Sequence, residues 1–255
     1  MPKAREQVDR LADLIRNSSR IVAFTGAGIS TAAGISDYRS KGGLWDRYRP
    51  VYYDEFLEDE EKRLEYWRRK QEMWPQIHAA RPSEGHRFVR RLHEAGKLSA
   101  VITQNVDGLH ELSGIPAELT VNLHGNNREI ICLSCGQVLP AEEFFARLDL
   151  SRGTPRCQAC GGLLKPNTVS FGQSLDPDDL RRAEQAAGRC DLMLALGSTL
   201  QVYPAAGFPS TAARAGASLV IVTLSETPLD KEAELVIRED IDTVAAELSR
   251  RLFPG

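Results

Sequence analysis

The stretch Ile21-Val22-Ala23-Phe24-Thr25-Gly26-Ala27-Gly28-Ile29-Ser30-Thr31 decides how this chain is read. Four apolar residues in a row, Ile21 to Phe24, suit a strand buried on both faces, as in a parallel sheet. The Gly-x-Gly that follows suits a turn whose backbone can approach a pyrophosphate and aim N–H groups at it. A plain tight strand-to-helix turn accounts for the same two glycines. The third position of the usual dinucleotide fingerprint is Thr31, and no acidic residue ends the next strand to hold a ribose. A simple dehydrogenase is therefore disfavoured.

Outward from that stretch, comparable apolar runs recur at Ala100-Val101-Ile102, Leu192 to Leu196 and Leu219 to Val222. Helical spacing fills the gaps: Val8, Leu11, Ala12, Leu14 and Ile15 before the first strand, then Arg87 to Ala95, Asp178 to Gly188, Ala205 to Ala215 and Ile241 to Leu252. Strands alternating with helices predict an α/β fold, a Rossmann-like parallel sheet covered on both faces. Two regions break the alternation. Residues 44–80 are rich in aromatics and charge and read as a helical insert, with Glu58 to Arg63 as its solvated face. Residues 127–167 carry four of the five cysteines. The expected organisation is a dinucleotide-type domain of residues 1–43, 81–126 and 168–255, with 44–80 and 127–167 forming a smaller, discontinuous domain.

Composition narrows the class. The 255 residues are 42% apolar and 26% charged, ordinary globular values, and the formal net charge of −3 does not draw the chain to nucleic acid or an anionic membrane. No apolar run approaches the roughly 20 residues of a membrane span. The N-terminal residues lack the apolar core of a signal peptide, so a cytoplasmic protein is expected.

Cys132-x-x-Cys135 and Cys157-x-x-Cys160 are two knuckles of two thiolates each, with Gly136 and Gly161-Gly162 placed for tight turns. Four thiolates close a tetrahedral zinc site and leave no position for a reactive water, so the metal is read as structural. Cys190 stands alone beside an apolar strand and reads as a core thiol. Thr103-Gln104-Asn105-Val106-Asp107-Gly108 follows a predicted strand, at the end of the sheet where ligands bind. Its amides and carboxylate suit a carboxamide or ribose hydroxyls, and they equally suit a polar cap on the next helix. His78, His86 and His93 fall on helical patterns, and His110 reads as a packing residue. His124 differs, because Leu123-His124-Gly125 lies in loop context after a strand, where a general base is a reading to weigh.

Taken in order, these segments resemble the sirtuin family. The resemblance is carried by Gly26-Ala27-Gly28-Ile29-Ser30-Thr31, Gly34-Ile35-Ser36-Asp37-Tyr38-Arg39, Thr103 to His110, Leu123-His124-Gly125 and both cysteine pairs. Lys165-Pro166 through Ser170-Phe171-Gly172, Gly197-Ser198-Thr199 and Val202-Tyr203-Pro204-Ala205-Ala206 continue it, over roughly residues 20 to 245. It implies an NAD-dependent lysine deacylase in which NAD is a consumed co-substrate and one zinc ion is structural. Gly26, Ala27, Gly28, Ser30, Thr31, Asp37, Tyr38, Arg39, Gln104, Asn105 and Asp107 would hold the dinucleotide. Gly197, Ser198, Thr199, Thr223, Ser225 and Ile241 would take its adenosine side. His124 and Asn105 would be catalytic, with His124 deprotonating a ribose hydroxyl that carries the acyl group away as acyl-ADP-ribose.

The same resemblance implies that Val169, Phe171 and Gly172 pair with an acyl-lysine protein or peptide as an added strand. Tyr66 and Arg69 stand three apart on a predicted helix, a spacing found in members that remove acidic acyl groups; Arg63, Arg68 and Lys70 crowd the same stretch, and a solvated basic face accounts for Arg69 equally well. Departures from the family pattern fall at Ser36 and Tyr38, where proline and phenylalanine are usual, at Thr223 for asparagine, and at Gln173 for glutamate. Rival readings are an ADP-ribosyltransferase or NAD glycohydrolase using the same pocket, and a zinc-ribbon module for nucleic acid. Target protein, preferred acyl chain and oligomeric state are left open by the sequence.

Overall fold

The structure is a computed structural model that describes residues 2–35 and 49–254. Helix α1 (Pro2–Asn17) buries Val8, Leu11, Ala12 and Ile15 on one face and leads into β1 (Ile21–Thr25), buried at every residue. A short 3-10 helix (Ala27–Ala33) follows directly. Beyond it come α2 (Tyr53–Glu58), α3 (Glu60–Ala79), α4 (Glu84–Glu94), β2 (Leu98–Thr103), the single turn α5 (Leu109–Leu112) and β3 (Thr120–Asn122). The cysteine-bearing stretch contributes β4 (Gly125–Cys132), β5 (Val138–Pro140), α6 (Ala141–Phe145) and β6 (Leu164–Thr168). The chain then returns to alternation with α7 (Pro177–Ala187), β7 (Leu192–Leu196), α8 (Gly207–Arg214), β8 (Ser218–Val222), β9 (Leu235–Ile237) and α9 (Ile241–Leu252).

Six strands form one parallel sheet in the order β3-β2-β1-β7-β8-β9. Successive side chains of a strand face opposite ways. Ile21 and Ala23 therefore join Leu194, Val220, Leu11 of α1, Phe88 and Leu92 of α4 and Leu248 of α9 in one core. Val22 and Phe24 join Met193, Ile221, Ala183 of α7 and Ala212 of α8 in the other. At about 1.5–3 kcal/mol for each large apolar side chain buried, these two layers dominate the stability of the sheet. The fold is α/β and Rossmann-like, as the alternation predicts. The sequence order reverses between β1 and β7, and ligands of open parallel sheets bind at the strand ends beside such a reversal.

A second, antiparallel sheet runs β5-β4-β6, with an irregularity in the β4–β6 register between Asn126 and Ile130. Its core is separate from the other two. Trp67 of α3, fully buried, packs on Phe144 and Phe145 of α6, and Phe56, Ile130, Cys132 and Cys157 complete the cluster.

One expectation for the helical insert needs correction. The charges from Glu58 to Arg63 are not simply a solvated face, because Arg63 is only 7% exposed. Its Nη1 donates to the carbonyls of Phe56 and Leu57 at 2.9 and 2.7 Å, and its Nη2 to Glu60 at 2.8 Å. Glu60 also accepts from the backbone N–H and hydroxyl of Thr154, which ties α3 to the cysteine-bearing stretch. Partial burial opposes the charge on Glu60, but these bonds outweigh it and hold the carboxyl near 2. A run of charges gives no periodic sign that one member folds back under its own helix. Among the described residues no helix is long and apolar enough to cross a membrane.

Candidate active site

At the reversal between β1 and β7 two glycine loops meet backbone to backbone. Gly26 N–H donates to Leu196 O at 3.0 Å and Gly28 N–H to Gly197 O at 2.9 Å. A Cβ on Gly28 would stand 2.7 Å from Gly197 Cα, and one on Gly197, whose φ is +68°, would stand 2.5 Å from Ile29 N. Side chains are excluded here by the second loop itself, so the glycines serve packing and leave a bare peptide surface toward the cleft. That cleft encloses about 670 Å³ and runs from these loops past His124 to α3.

The floor of the cleft is a polar network at the end of β2. Asn105 Nδ2 donates to Gly26 O at 3.1 Å and to Ser30 Oγ at 3.0 Å. Ser30 Oγ donates to Asp107 Oδ2 at 2.8 Å, and Asp107 Oδ1 accepts from Leu109 N at 2.9 Å. The N-cap of α5 is Gly108, so Asp107, one residue earlier, is not the cap itself; it holds the first N–H of the helix and also fixes Ser30. Gln104 contributes to the lining, and its Nε2 is buried with no partner among the described residues. A buried amide left unpaired costs about 1–3 kcal/mol. That orphan donor and the glycine cradle are what a polar, phosphate-bearing ligand such as NAD would satisfy.

His124 sits between β3 and β4 and is half-buried. Its Nδ1 is 2.9 Å from Gln104 O, and a carbonyl can only accept, so Nδ1 carries the proton and Nε2 keeps the lone pair. Burial lowers its pKa below the usual 6.5, against a smaller upward pull from the Gln104 carbonyl. The ring is therefore a neutral base at neutral pH.

Past His124 the cleft is walled by α3. Tyr66, Arg69, Lys70 and Met73 all line it. Arg69 donates to Glu65 one turn back and to the carbonyl of Arg49. Lys70 donates to Asn127 Oδ1 at 3.0 Å and stands 5.5 Å over the Tyr66 ring. Beneath lies Lys165, 1% exposed, held by the carbonyls of Pro166 and Thr168. Burial alone would raise the Tyr66 phenol, but Lys165, Lys70 and hydrogen bonds with Thr168 and Ser170 outweigh it and bring the phenol to about 8.

The four cysteines of the two pairs converge. All four sulfurs lie within 4.8 Å of one another, with Cys132 to Cys160 at 3.5 Å and Cys135 to Cys157 at 3.8 Å. A tetrahedral zinc with bonds of about 2.3 Å needs sulfurs about 3.8 Å apart, so the donor set and its spacing fit that ion. Gly136 N–H to Cys132 O and Gly161 N–H to Cys157 O close the two knuckles, both glycines at φ +73°. Cys190 is a buried thiol bonded to Ala187 O, and burial pushes it up to about 11.

Of the residues singled out in the sequence, Ala27, Gly28, Thr31, Gln104, Asn105 and His124 line the cleft. So do Gly197, Ser198, Thr199, Thr223, Ser225 and Ile241 on one side, and Tyr66, Arg69, Val169, Phe171 and Gly172 on the other. Gly26, Ser30 and Asp107 stand just behind that lining and brace it. Asp37, Tyr38 and Arg39 lie outside the described residues. Lys70 and Met73 were missed, although they continue the helical spacing of Tyr66 and Arg69. Val202, Tyr203 and Leu224 also line the cleft, and the last two are 69% and 72% exposed apolar side chains at its rim.

Comparison with known proteins agrees with this arrangement. The model of the Sir2 family matches residues 26–204. A relative from Bradyrhizobium diazoefficiens named NAD-dependent protein deacetylase 1 is 47% identical, over 93% of each chain. NAD-dependent protein deacetylases of Thermodesulfovibrio yellowstonii and Thermotoga maritima are 41% and 38% identical, each over 94% or more of both chains. A solved Sir2 complex with a p53 peptide and NAD+ superposes with a TM-score of 0.85 at 37% identity, covering 96% of this chain and 98% of that one. A Sir2 protein bound to acetylated peptide gives 0.84 at 36%, with the same coverage. On the family match and these identities, the chain belongs to the Sir2 family.

Proposed function

We propose that this chain is an NAD-dependent protein-lysine deacylase that moves the acyl group onto ADP-ribose. The observation that carries the reading is His124, a neutral base with its lone pair on Nε2, lining the cleft that the glycine loops open at the sheet's reversal point. The relatives' names and the peptide and NAD complexes of the solved structures support it. When bound, NAD supplies an activated ribose carbon and a nicotinamide leaving group. The chain's share is to hold and to move protons. Gln104 offers its unpaired amide, Asn105 and Asp107 fix the floor, and His124 Nε2 takes a proton from a ribose hydroxyl. The Gly197 loop, Thr223, Ser225 and Ile241 form the opposite wall for the adenosine half. The four cysteines would hold one zinc away from this chemistry.

The lysine-bearing segment enters along Val169 to Gly172. Val169 N–H already donates to His124 O at 2.8 Å, and Phe171 O accepts from Tyr53 N–H at 2.9 Å. An added strand therefore pairs through the other edge groups of that segment, with Tyr203 and Leu224 across the mouth. We assign residues 1–43, 81–126 and 168–255 to the NAD-binding unit and 44–80 with 127–167 to the smaller one. β4 begins at Gly125, so that strand carries the join.

Tyr66 and Arg69 form the far wall of the acyl end. Glu65 already neutralises Arg69, so an acidic acyl group must displace a carboxylate before it gains a guanidinium. Neutral acyl groups face no such competition and are the proposed main substrates. Mass spectrometry of the small-molecule product tests the reaction: acyl-ADP-ribose is expected, and ADP-ribosylated protein or free ADP-ribose alone would refute it. Steady-state kinetics on acetyl-, succinyl- and glutaryl-lysine forms of one peptide test the wall. Arg69→Met is expected to lower kcat/KM for the acidic forms and leave the acetyl form within about fivefold, since losing a partly exposed ion pair costs at most about 1 kcal/mol. An equal change on all three removes Arg69 from acyl recognition.

A further inference from the structure

Strand β4 departs from regular pairing just after His124. Asn126 pairs with Asn167 of β6 and Ile130 with Pro166, so residues 127–129 are extra on β4 and bulge from the ladder. A bulge bends its strand and re-aims the side chains it carries. Here it sends two residues to the back of the cleft floor. Asn127 N–H donates to Val106 O at 2.7 Å, and Asn127 Oδ1 accepts from Lys70 Nζ of α3 at 3.0 Å. Arg128 Nε donates to Asp107 O at 2.8 Å, and Arg128 Nη2 to Ile77 O at 3.0 Å.

Both carbonyls that Arg128 takes belong to places that need an outside donor. The last carbonyls of a helix have no partner within it. At the end of α3 those of His78 and Ala79 accept from Arg81 Nη1, and that of Ile77 accepts from Arg128. Asp107 is the anchor of the floor, with Oδ2 on Ser30 Oγ and Oδ1 on Leu109 N–H. Arg128 adds a hold on its backbone. The arginine reaches it by crossing Gly108, at φ +68°, where a Cβ would stand 2.8 Å from Arg128 Cδ.

We propose that Arg128 is a positioning residue for the nicotinamide end of the cleft, its guanidinium edge bridging the Asp107 carbonyl of the floor to the Ile77 carbonyl of α3. The inference rests on the proposed reaction, in which the Gly197 wall takes the adenosine half of NAD and the floor takes the other half. Two carbonyl oxygens side by side repel, and a cationic fork donating to both turns that repulsion into attraction. Nε and Nη2 lie on one rigid planar edge, so holding one oxygen fixes the place of the other. Lys70 to Asn127 is a second tie, about two turns earlier on the same helix. The bulge thus sets the gap between α3, which carries Tyr66 and Arg69, and the network of Asn105, Ser30 and Asp107. Among the described residues none of the hydrogen bonds of Arg128 reaches the glycine loops or the adenosine wall, so those contacts survive its loss.

Calorimetric titration of the full zinc-loaded chain with NAD and with ADP-ribose, which lacks the nicotinamide ring, tests this without measuring turnover. Arg128→Met keeps the apolar stem and removes the donors. NAD affinity is expected to fall roughly tenfold and ADP-ribose affinity to stay within about threefold. Arg128→Lys keeps the charge without the fork and is expected to follow the methionine variant. Equal losses for the two ligands, no loss for either, or wild-type NAD affinity in Arg128→Lys would overturn the proposal. The wild-type chain supplies a check that needs no stable variant. With 15N-labelled arginine, the Arg128 Nε–H resonance is expected to shift when NAD binds and to stay when ADP-ribose binds. A resonance that moves equally with both, or with neither, also overturns it. A wild-type chain that binds no NAD would sink the reading of the site and this inference together, whereas intact wild-type binding with equal losses sinks this inference alone.

Discussion

His124 keeps a free lone pair on Nε2 because of how its ring is held. The Gln104 carbonyl fixes the proton on Nδ1, and burial keeps the ring neutral where an exposed histidine begins to charge. His124→Ala should lower turnover by about 10² to 10⁴ while NAD affinity stays close to wild type, because the cradle is built from other residues. Single-turnover rates beside calorimetric NAD binding check this, and near-wild-type turnover would remove the ring from the reaction. In the proposed reaction the working form is the neutral one, so kcat/KM should be level at neutral pH and fall only as pH drops through a value below 6.5. The buried pair His86 and His110 sets a second pH dependence, this time of stability. An unfolded imidazole takes up a proton below 6.5, while the native rings refuse it until about 3. Their contribution is complete above 6.5 and is lost as pH falls toward 3, on the order of 1 kcal/mol per pH unit for each ring. Chemical denaturation between pH 6.5 and 4.5 should show a shallower slope for His86→Gln than for wild type, and an unchanged slope would count against the burial argument. His124 could be picked out from its loop context. The His86–His110 pair could not, because two helical patterns far apart in sequence do not announce that they meet.

At the scale of elements, the buried strands β1, β2, β7 and β8 were legible as apolar runs because a parallel strand covered on both faces has no polar side to interrupt it. The edge strands β3 and β9, three residues each, and β4, which reads Gly-Asn-Asn-Arg-Glu-Ile-Ile-Cys, carry no such signature. Their pairing is decided by neighbours that sequence spacing does not reveal. Gly26-x-Gly28 was read as a phosphate turn or a plain tight turn, and the structure adds a second reason for its glycines, the contact of that loop with the loop at Gly197. Gly197→Ala should therefore do two kinds of damage. The residue sits at φ +68°, which costs a side chain about 1–2 kcal/mol, and its Cβ would meet Ile29 N at 2.5 Å. A stability loss above about 2 kcal/mol and a marked loss of NAD affinity are expected. Gly207→Ala is the control, since its Cβ meets nothing within 4 Å. Denaturant midpoints and NAD titrations on the two variants decide the point, and Gly197→Ala behaving like Gly207→Ala would show that the loops do not need their close approach.

Among the described residues the molecule has three cores, and they divide in a way that predicts how it comes apart. The two faces of the parallel sheet share β1, β2, β7 and β8 and draw on α1, α4, α7, α8 and α9. The third core, around Trp67, Phe56 and Ile130, has no residue in common with them and includes Cys132 and Cys157 themselves. Removing a metal from the four sulfurs would take the ordering force from the centre of that third core, since metal binding to such sites is folding free energy. Zinc-loaded protein treated with a chelator should first lose hydrogen-exchange protection at Ile130 to Cys132 and at Leu164. The amides of Ile21 to Thr25 and Leu192 to Leu196 should stay protected. Activity should fall with the first group, because Val169 N–H is bonded to His124 O and β4 starts one residue after His124, so the small sheet holds the base in place. Cys157→Ser should reproduce the chelated pattern without chelator, with NAD affinity reduced less than turnover. Mass spectrometry of intact protein gives the zinc content, and exchange followed by proteolysis gives the local protection. If protection is lost across both sheets together, the cores are not independent. If it is lost nowhere while zinc is verifiably gone, the cysteine cluster does not hold the small sheet, and the link from metal to His124 fails with it.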